Sequence, residues 1–354
     1  MNETSRYIPN EDGYLSQADT KSYYSRIGMF CFLIGIISFA VSIIASVIIA
    51  MFFPQILQNE QMLSILDYAL SFVAIYCIAT PIAFTAIKPL PSVKPKENPM
   101  KISHLIGTLC VCFAGMQIGS YVSNFIITFT ESIVGKTLVN PVESSLSSGS
   151  LALSAACVGI LFPILEELLF RKLLCNKLLP LGEKQAIIIS AAIFGLIHGN
   201  LFQFAYAFLL GLVFGYVYVK TGKIIYTMIF HCIINLYGGV FAQYVLSKIP
   251  LEKLEELLTS VLENPDAMTN IDSLIASLGD YATGFMLYML YAYIMMGLAF
   301  AGIIVFIVAM VNKSITLKQG ELRTRNSVSS FFLTGGVAAA IGYIVLSFLY
   351  SIFV

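Results

Sequence analysis

Long runs of apolar residues dominate this sequence and restrict it to folds that place those runs in lipid. A helix needs about 20 residues to cross the hydrocarbon core of a bilayer. The chain is 58% hydrophobic and 11% charged, whereas a soluble domain carries about 25% charged residues. We therefore predict an all-α fold, a polytopic membrane helix bundle with about eight or nine transmembrane helices. The predicted spans are 27–53, 62–87, 102–127, 150–170, 186–200, 202–219, 224–246, 281–311 and 329–353.

The distribution of positive charge predicts how the bundle is oriented. With the N-terminus in the cytoplasm and 171–185 as a cytoplasmic loop, 17 of the 20 Lys and Arg residues fall on the cytoplasmic side. Lys and Arg concentrate on that side of membrane proteins, so the bias supports both the orientation and the number of spans. The formal net charge is zero, and no basic surface indicates a nucleic-acid partner.

The segments between the spans give the domain organisation. Segment 247–280 is long and acidic, and four leucines from Leu251 to Leu262 recur at helical spacing with glutamates mostly on the other face. This pattern predicts an amphipathic helix on the external surface, either a cap over the bundle or a lid for a substrate or partner. The predicted parts are a polar cytoplasmic tail at 1–26, N-terminal helices at 27–127, a core at 150–246, the external segment at 247–280 and C-terminal helices at 281–354.

Three ionisable residues stand inside the fourth predicted span or at its end. Glu166, Glu167 and Arg171 lie in an otherwise apolar run, and a charged group at the bilayer centre costs roughly 2.5–3.5 kcal/mol. Glu167 and Arg171 are four residues apart, so they share a helix face and can pair. Glu166 is rotated away and has no local partner, so it is a candidate proton acceptor. The alternative is a structural hydrogen bond to a neighbouring helix.

Three further polar residues lie on later spans at a similar depth. His198 and His231 lie inside the fifth and seventh spans, and Asn235 follows His231 by one turn. Counting 1.5 Å per residue from the nearest cytoplasmic charge places these residues and Glu166 roughly 12–21 Å deep. That range is near the middle of a core about 30 Å thick. Side chains from three helices can therefore converge on one hydrated pocket.

This combination of side chains suits a hydrolytic site. A carboxylate and an imidazole around one water can act as a general base, while an imidazole and an amide can donate hydrogen bonds to an oxyanion. Glu166 and His198 fit the first pair, and His231 and Asn235 fit the second. Glutamate with two histidines is also a catalytic zinc set. No His-Glu-x-x-His motif supports zinc, so we expect no cofactor and keep zinc as an alternative.

These motifs resemble a known family. Glu166-Glu167-x-x-x-Arg171, Phe194-x-x-x-His198 and His231-x-x-x-Asn235 are similar to the three signatures of the CPBP family. Its members are the CAAX prenyl proteases and bacteriocin-processing enzymes, also called the Abi family. The resemblance covers roughly 150–240.

The resemblance implies an intramembrane glutamate-dependent endopeptidase. It implies that Glu166 and His198 activate water and that His231 and Asn235 form the oxyanion hole. Glu167 and Arg171 would be a structural pair, and Phe194 would line the pocket. The family's roles include prenyl-protein processing, pheromone maturation and bacteriocin immunity, and the sequence does not choose among them.

The resemblance also implies partners and a location. We expect a membrane-embedded or lipidated peptide substrate, the lipid bilayer as surroundings, and a bacterial plasma membrane. Two other classes stay open. A non-catalytic scaffold that regulates a partner enzyme would not need Glu166, and a transporter would use the buried charges as an ion site, although no inverted repeat is evident.

Overall fold

Helices alone form the regular structure of the described residues, as the sequence predicts. The computed structural model describes residues 7–141, 150–250, 259, 279–324, 331 and 334–353. Eight helices of this described part are long and apolar enough to cross a membrane, and a ninth is shorter. In chain order the helices are α1 Gln17–Phe52, α2 Gln61–Ile87, α3 Ile102–Val134, α4 Leu151–Leu181, α5 Glu183–Leu196, α6 Leu201–Thr221, α7 Ile224–Leu246, α8 Ala282–Val311 and α9 Gly335–Phe353.

The fifth predicted span forms a shorter helix than a full crossing requires. Helix α5 has 14 residues, about 21 Å at 1.5 Å per residue. The chain then reverses at Gly199, whose φ of +67° is in the left-handed region that glycine tolerates. The Asn200 side chain accepts a hydrogen bond from the Gln203 amide at 2.9 Å and caps α6. Helices α5 and α6 therefore form a hairpin that packs along its length.

Several predicted boundaries differ from the structure. Helix α1 begins at Gln17, so the N-terminal tail is about ten residues shorter than predicted. Tyr23 is buried, and its hydroxyl donates a hydrogen bond to the Lys177 carbonyl, which draws this turn into the bundle. Helix α4 continues to Leu181, so 171–185 is not a loop and Arg171 lies inside the helix. The leucines of the predicted amphipathic helix lie outside the described residues.

Apolar side chains cover the outside of the bundle as well as its interior. Phe125 on α3 and Phe300 on α8 are largely exposed, as are many isoleucines, valines and leucines on the outer helix faces. Large exposed apolar surfaces mark sites of membrane contact. The outer surface of the described part is therefore suited to lipid.

Glycines allow the central helices to approach closely. A Cβ added at Gly119 of α3 would lie 2.2 Å from the Cα of Tyr206 on α6, and one at Gly211 of α6 would lie 2.9 Å from the Cα of Ala191 on α5. Small residues at helix interfaces allow this approach in membranes. Gly119 and Gly211 therefore set the close spacing of α3 and α5 against α6.

Two glycines of α8 provide a test of this packing. A Cβ at Gly302 would lie 2.0 Å from the Cys110 carbonyl oxygen of α3, whereas one at Gly297 would meet nothing within 4 Å. We expect Gly302→Ala to destabilise the protein by roughly 1–3 kcal/mol through overpacking. Gly297→Ala should be neutral or stabilising by up to about 1 kcal/mol. Denaturant titration in micelles measures both, and equal effects would contradict the packing argument.

Candidate active site

Helix α4 is irregular on both sides of its two glutamates. Residues Cys157–Leu161 and Leu168–Cys175 are π-helical, and π-bulges frequently occur at functional sites. The Phe162 amide donates to the Cys157 carbonyl, five residues back. The next carbonyl in that ladder, of Val158, would need the amide of residue 163, which is a proline and has no N–H. The Val158 carbonyl therefore remains free to accept a hydrogen bond from another helix.

Asn235 of α7 supplies that hydrogen bond. Its Nδ2 donates to the Val158 carbonyl at 3.0 Å. The two helices are close here because Gly159 leaves room for Leu236, whose Cδ2 lies 2.3 Å from where a Cβ would be. A side-chain amide carries two N–H donors, so Asn235 has a second donor besides the one that binds Val158 among the described residues.

Glu167 and Arg171 form the ion pair that their four-residue spacing predicts. The Arg171 Nε donates to Glu167 Oε2 at 3.0 Å, and both side chains are fully buried. The guanidinium also lies over the Phe194 ring at 5.1 Å and the Phe214 ring at 5.8 Å, which are cation–π distances. A buried charge needs such partners, and this pair anchors the polar centre of the bundle.

His231 lies between the two adjacent carboxylates. Its Nδ1 donates to Glu167 Oε1 at 3.1 Å, and its Nε2 is 3.6 Å from Glu166 Oε2. Glu167 is fully buried, whereas 22% of the Glu166 side chain is exposed. Glu166 thus has a neighbour on another helix, as the structural alternative kept for it in the sequence predicts, although the sequence did not identify that neighbour as His231. Of the two carboxylates, Glu166 is the one that an incoming molecule can reach.

His198 joins this group through Phe194 rather than through a carboxylate. The Phe194 ring is edge-on to His198 at 5.1 Å and to His231 at 5.6 Å. The His198 Nδ1 is 2.7 Å from the Phe194 carbonyl. Because a carbonyl can only accept, that nitrogen carries a proton, and Nε2 of the neutral ring is left as an acceptor.

The structure therefore brings the predicted residues together to different degrees. Glu166, Glu167 and His231 are in direct contact, Arg171 pairs with Glu167, and Phe194 links the two imidazoles. Asn235 is hydrogen-bonded to the backbone of α4 at Val158, eight residues before Glu166.

Sequence reasoning missed three contributors to the site. Phe214 lies 5.1 Å from the His231 ring and under the guanidinium. Thr227, one turn before His231 and fully buried, interacts with Glu167. Its position at i−4 from His231 is a signal that could have identified it. The Val158 carbonyl could have been found from Pro163, whereas nothing in the pattern singles out Phe214.

Two tyrosines from other helices lie near Glu166. Tyr76 of α2 and Tyr206 of α6 both lie within range of its charge. Tyr76 also stacks on Phe162 at 6.3 Å, one turn before Glu166 on α4. Aromatic rings have a low polarity, and such neighbours strengthen electrostatic interactions with Glu166.

The described residues hold no group of three or more His, Cys, Asp or Glu side chains arranged to bind a metal ion. Glu167, Arg171 and His231 instead partner one another, and His198 and Asn235 each contact a backbone carbonyl. The carboxylate–imidazole set can transfer a proton and donate hydrogen bonds without further ligands.

Fold and site together define an all-α integral membrane protein with a buried glutamate–histidine centre. Residues 148–237 match the family model described as "Type II CAAX prenyl endopeptidase Rce1-like". This region contains every predicted residue of the site and is about a quarter of the chain. The resemblance to the CPBP family that the three motifs predict is confirmed over these residues.

One curated relative matches part of the same chain. UPF0177 protein YxdF of Lactococcus lactis subsp. lactis (strain IL1403) is 34% identical over 83 residues, which are 23% of this chain and 46% of the relative. The match thus spans about half the length of that relative. No solved structure matches this chain significantly.

Proposed function

We propose that this protein is an intramembrane endopeptidase that hydrolyses a peptide bond of a membrane-associated or lipidated substrate, with Glu166 as the general base. The observation that supports this most is the contact of Glu166 with His231 beside the fully buried Glu167–Arg171 pair. The partly exposed carboxylate is reachable, while its neighbour is committed to holding the site together.

In the first step a water molecule attacks the substrate carbonyl carbon. Glu166 takes the water proton as the new C–O bond forms, and the His198 Nε2 orients the water by accepting its second hydrogen. The carbonyl π electrons move to oxygen and give a tetrahedral oxyanion. The C–N bond then breaks, and the proton held by Glu166 passes to the leaving amine. A positioned base contributes about 10²–10⁴-fold to such a reaction.

Two side chains of α7 would stabilise the oxyanion. The second N–H of Asn235 is one donor. The other is Nε2 of His231, which can donate when the ring is protonated. The ring contacts both carboxylates, so this donor lies directly beside the proposed base Glu166.

The substrate can be identified by comparing membranes whose enzyme differs at one residue. Terminal proteomics of membranes with wild-type and Glu166→Gln protein would report which N-termini depend on the carboxylate. We expect new N-termini in or next to apolar or lipidated segments in the wild type alone. Identical sets of N-termini, together with complementation of a deletion by Glu166→Gln, would favour the scaffold class instead.

Asn235→Ala tests the proposed oxyanion hole. Loss of one such donor costs about 2.7–4 kcal/mol of transition-state stabilisation, so we expect kcat to fall about 10²–10³-fold with KM little changed. The assay is cleavage of the identified substrate by purified protein. Because the same amide binds the Val158 carbonyl, unfolding of the variant is measured in parallel. A variant that is fully folded and fully active would contradict the assignment.

Metal removal separates the proposed mechanism from the zinc alternative. We expect activity to survive incubation with a strong chelator, since no step of the proposed reaction uses a metal. Metal analysis of active protein should give far less than one zinc per chain. Loss of activity on chelation, restored by zinc, would establish the metal-dependent mechanism instead.

A further inference from the structure

An apolar groove lies on the side of α5 that faces away from the active site. It has a cavity volume of about 550 Å³ and is lined by α1, α5 and α9. This volume falls within the range of small-molecule sites, about 300–1,000 Å³. Each of the three helices contributes a small residue to the lining: Gly28 of α1, Ala192 of α5 and Ala340 of α9. The groove is therefore a built feature of three helices rather than a gap beside one of them.

Close contacts fix the positions of the groove walls. A Cβ at Gly336 of α9 would lie 1.8 Å from the Ser25 carbonyl oxygen of α1, so these two helices touch at one end. Further along α9, the Ser347 hydroxyl donates to the Gly199 carbonyl at 3.3 Å, in the turn after α5. A Cβ at Gly28 would lie 2.3 Å from the Val337 amide nitrogen, so lining residues of α1 and α9 also take part in the packing that fixes these walls.

The groove and the active site use opposite faces of α5. Ile188, Ala192 and Leu196 line the groove at helical spacing. Phe194 is 1% exposed and contacts both histidines. At 100° per residue Phe194 points about 160° away from the centre of the groove-lining face. A molecule in the groove would therefore lie behind the helix that carries Phe194 and leads into His198.

Charge is confined to one end of the groove. Lys184, in the first turn of α5, is the one charged residue among the described lining residues, and Gln185 lies beside it. Lys184 is exposed and forms no ion pair with a described residue. From Lys184 to Leu196 the wall is about 18 Å long at 1.5 Å per residue. The groove thus offers one cation at its mouth and an apolar channel behind it.

We propose that this groove binds one anionic phospholipid, with its phosphate at Lys184 and an acyl chain along α5. Basic residues at the membrane surface between transmembrane helices bind anionic lipid head groups. A zwitterionic lipid would fill the channel equally well but would gain less from Lys184. A bound lipid would pack against the face of α5 opposite Phe194 and would restrict the movement of this helix. This binding does not depend on the proposed protease activity.

Native mass spectrometry of the full-length protein tests the proposal. The protein is released from nanodiscs containing phosphatidylglycerol and phosphatidylcholine with identical acyl chains. We expect one retained phosphatidylglycerol per chain in preference to phosphatidylcholine. Lys184→Ala should lower that preference about fivefold, since one lysine near the surface is worth about 1 kcal/mol. Lys172→Ala, which removes an exposed lysine outside the groove, should leave it unchanged.

A second pair of variants tests where the acyl chain lies. Ala192→Phe should fill the groove and abolish retention of either lipid, whereas Ala338→Phe on the exposed face of α9 should not. Equal retention of the two lipids, or equal effects of the two lysine variants, would overturn the proposal. The proposal would also be overturned if a farnesylated cysteine peptide displaced phosphatidylglycerol and excess phosphatidic acid did not, because the groove would then be a substrate site. If inorganic phosphate abolishes the retention of phosphatidylglycerol but phosphatidylcholine does not, the result would still support a head-group contact at Lys184.

Discussion

Glu166→Gln is expected to reduce peptide-bond cleavage by about 10³-fold or more while the protein stays inserted and folded. The substitution keeps the shape of the side chain and removes its ability to take a proton. General-base catalysis alone accounts for about 10²–10⁴-fold. Glu166 is 22% exposed and 3.6 Å from His231, so its loss leaves no fully buried charge without a partner. The measurement is single-turnover cleavage of the substrate by purified protein.

A matched carboxylate elsewhere in the membrane provides the control. Asp67 lies within α2, where its side chain is exposed on the outer face. Asp67→Asn removes the same charge from a span and should leave cleavage unchanged. If Glu166→Gln keeps wild-type activity, Glu166 is not the base. If both variants lose activity together, the loss reflects the bundle as a whole and not the proposed site.

Arg171→Met should be the most destabilising single substitution in the polar centre of the bundle. The side chain is fully buried and pairs with the equally buried Glu167 at 3.0 Å. Removing one partner of such a pair leaves an uncompensated charge and costs about 3–5 kcal/mol. The two cation–π contacts with Phe194 and Phe214 would be lost as well. Denaturant-induced unfolding in micelles measures the change.

Two comparisons show whether charge is the cause. Lys172→Met changes the neighbouring exposed lysine and should have little effect. The double variant Glu167→Gln with Arg171→Met removes both charges and should recover part of the lost stability, since the uncompensated carboxylate is gone. A single variant no less stable than Lys172→Met would show that the pair does not anchor the bundle. A double variant no better than Arg171→Met would point to packing instead of charge.

The apolar runs alone predicted most of the fold. Each of the nine predicted spans overlaps one helix over most of its length, because a run of apolar residues has no alternative to a helix in lipid. The ends were predicted less well. Helix α1 begins ten residues early because Tyr23 and Tyr24 are buried against the rest of the bundle. Helix α5 is short because the chain must turn at Gly199 to pair with α6.

The sequence predicted which residues form the site but not most of the contacts between them. Polar groups inside apolar runs are conspicuous because burying them is costly, and this singled out the glutamates, the two histidines and Asn235. The spacing of Glu167 and Arg171 also predicted their pairing. No local pattern shows that His231 contacts both carboxylates, because 64 residues separate it from Glu167 and helix packing decides the distance.

The sequence by itself determined that this chain is a helical membrane protein and which of its side chains are chemically out of place there, because the composition of each segment fixes its free energy of transfer into lipid. The tertiary structure alone decided which of those side chains meet. Asn235 binds Val158 because Pro163 frees a carbonyl and Gly159 lets α7 approach it. Such contacts depend on the positions of two helices at once. The residues of one helix can reveal a free carbonyl or a small residue, but not which side chain of another helix meets it.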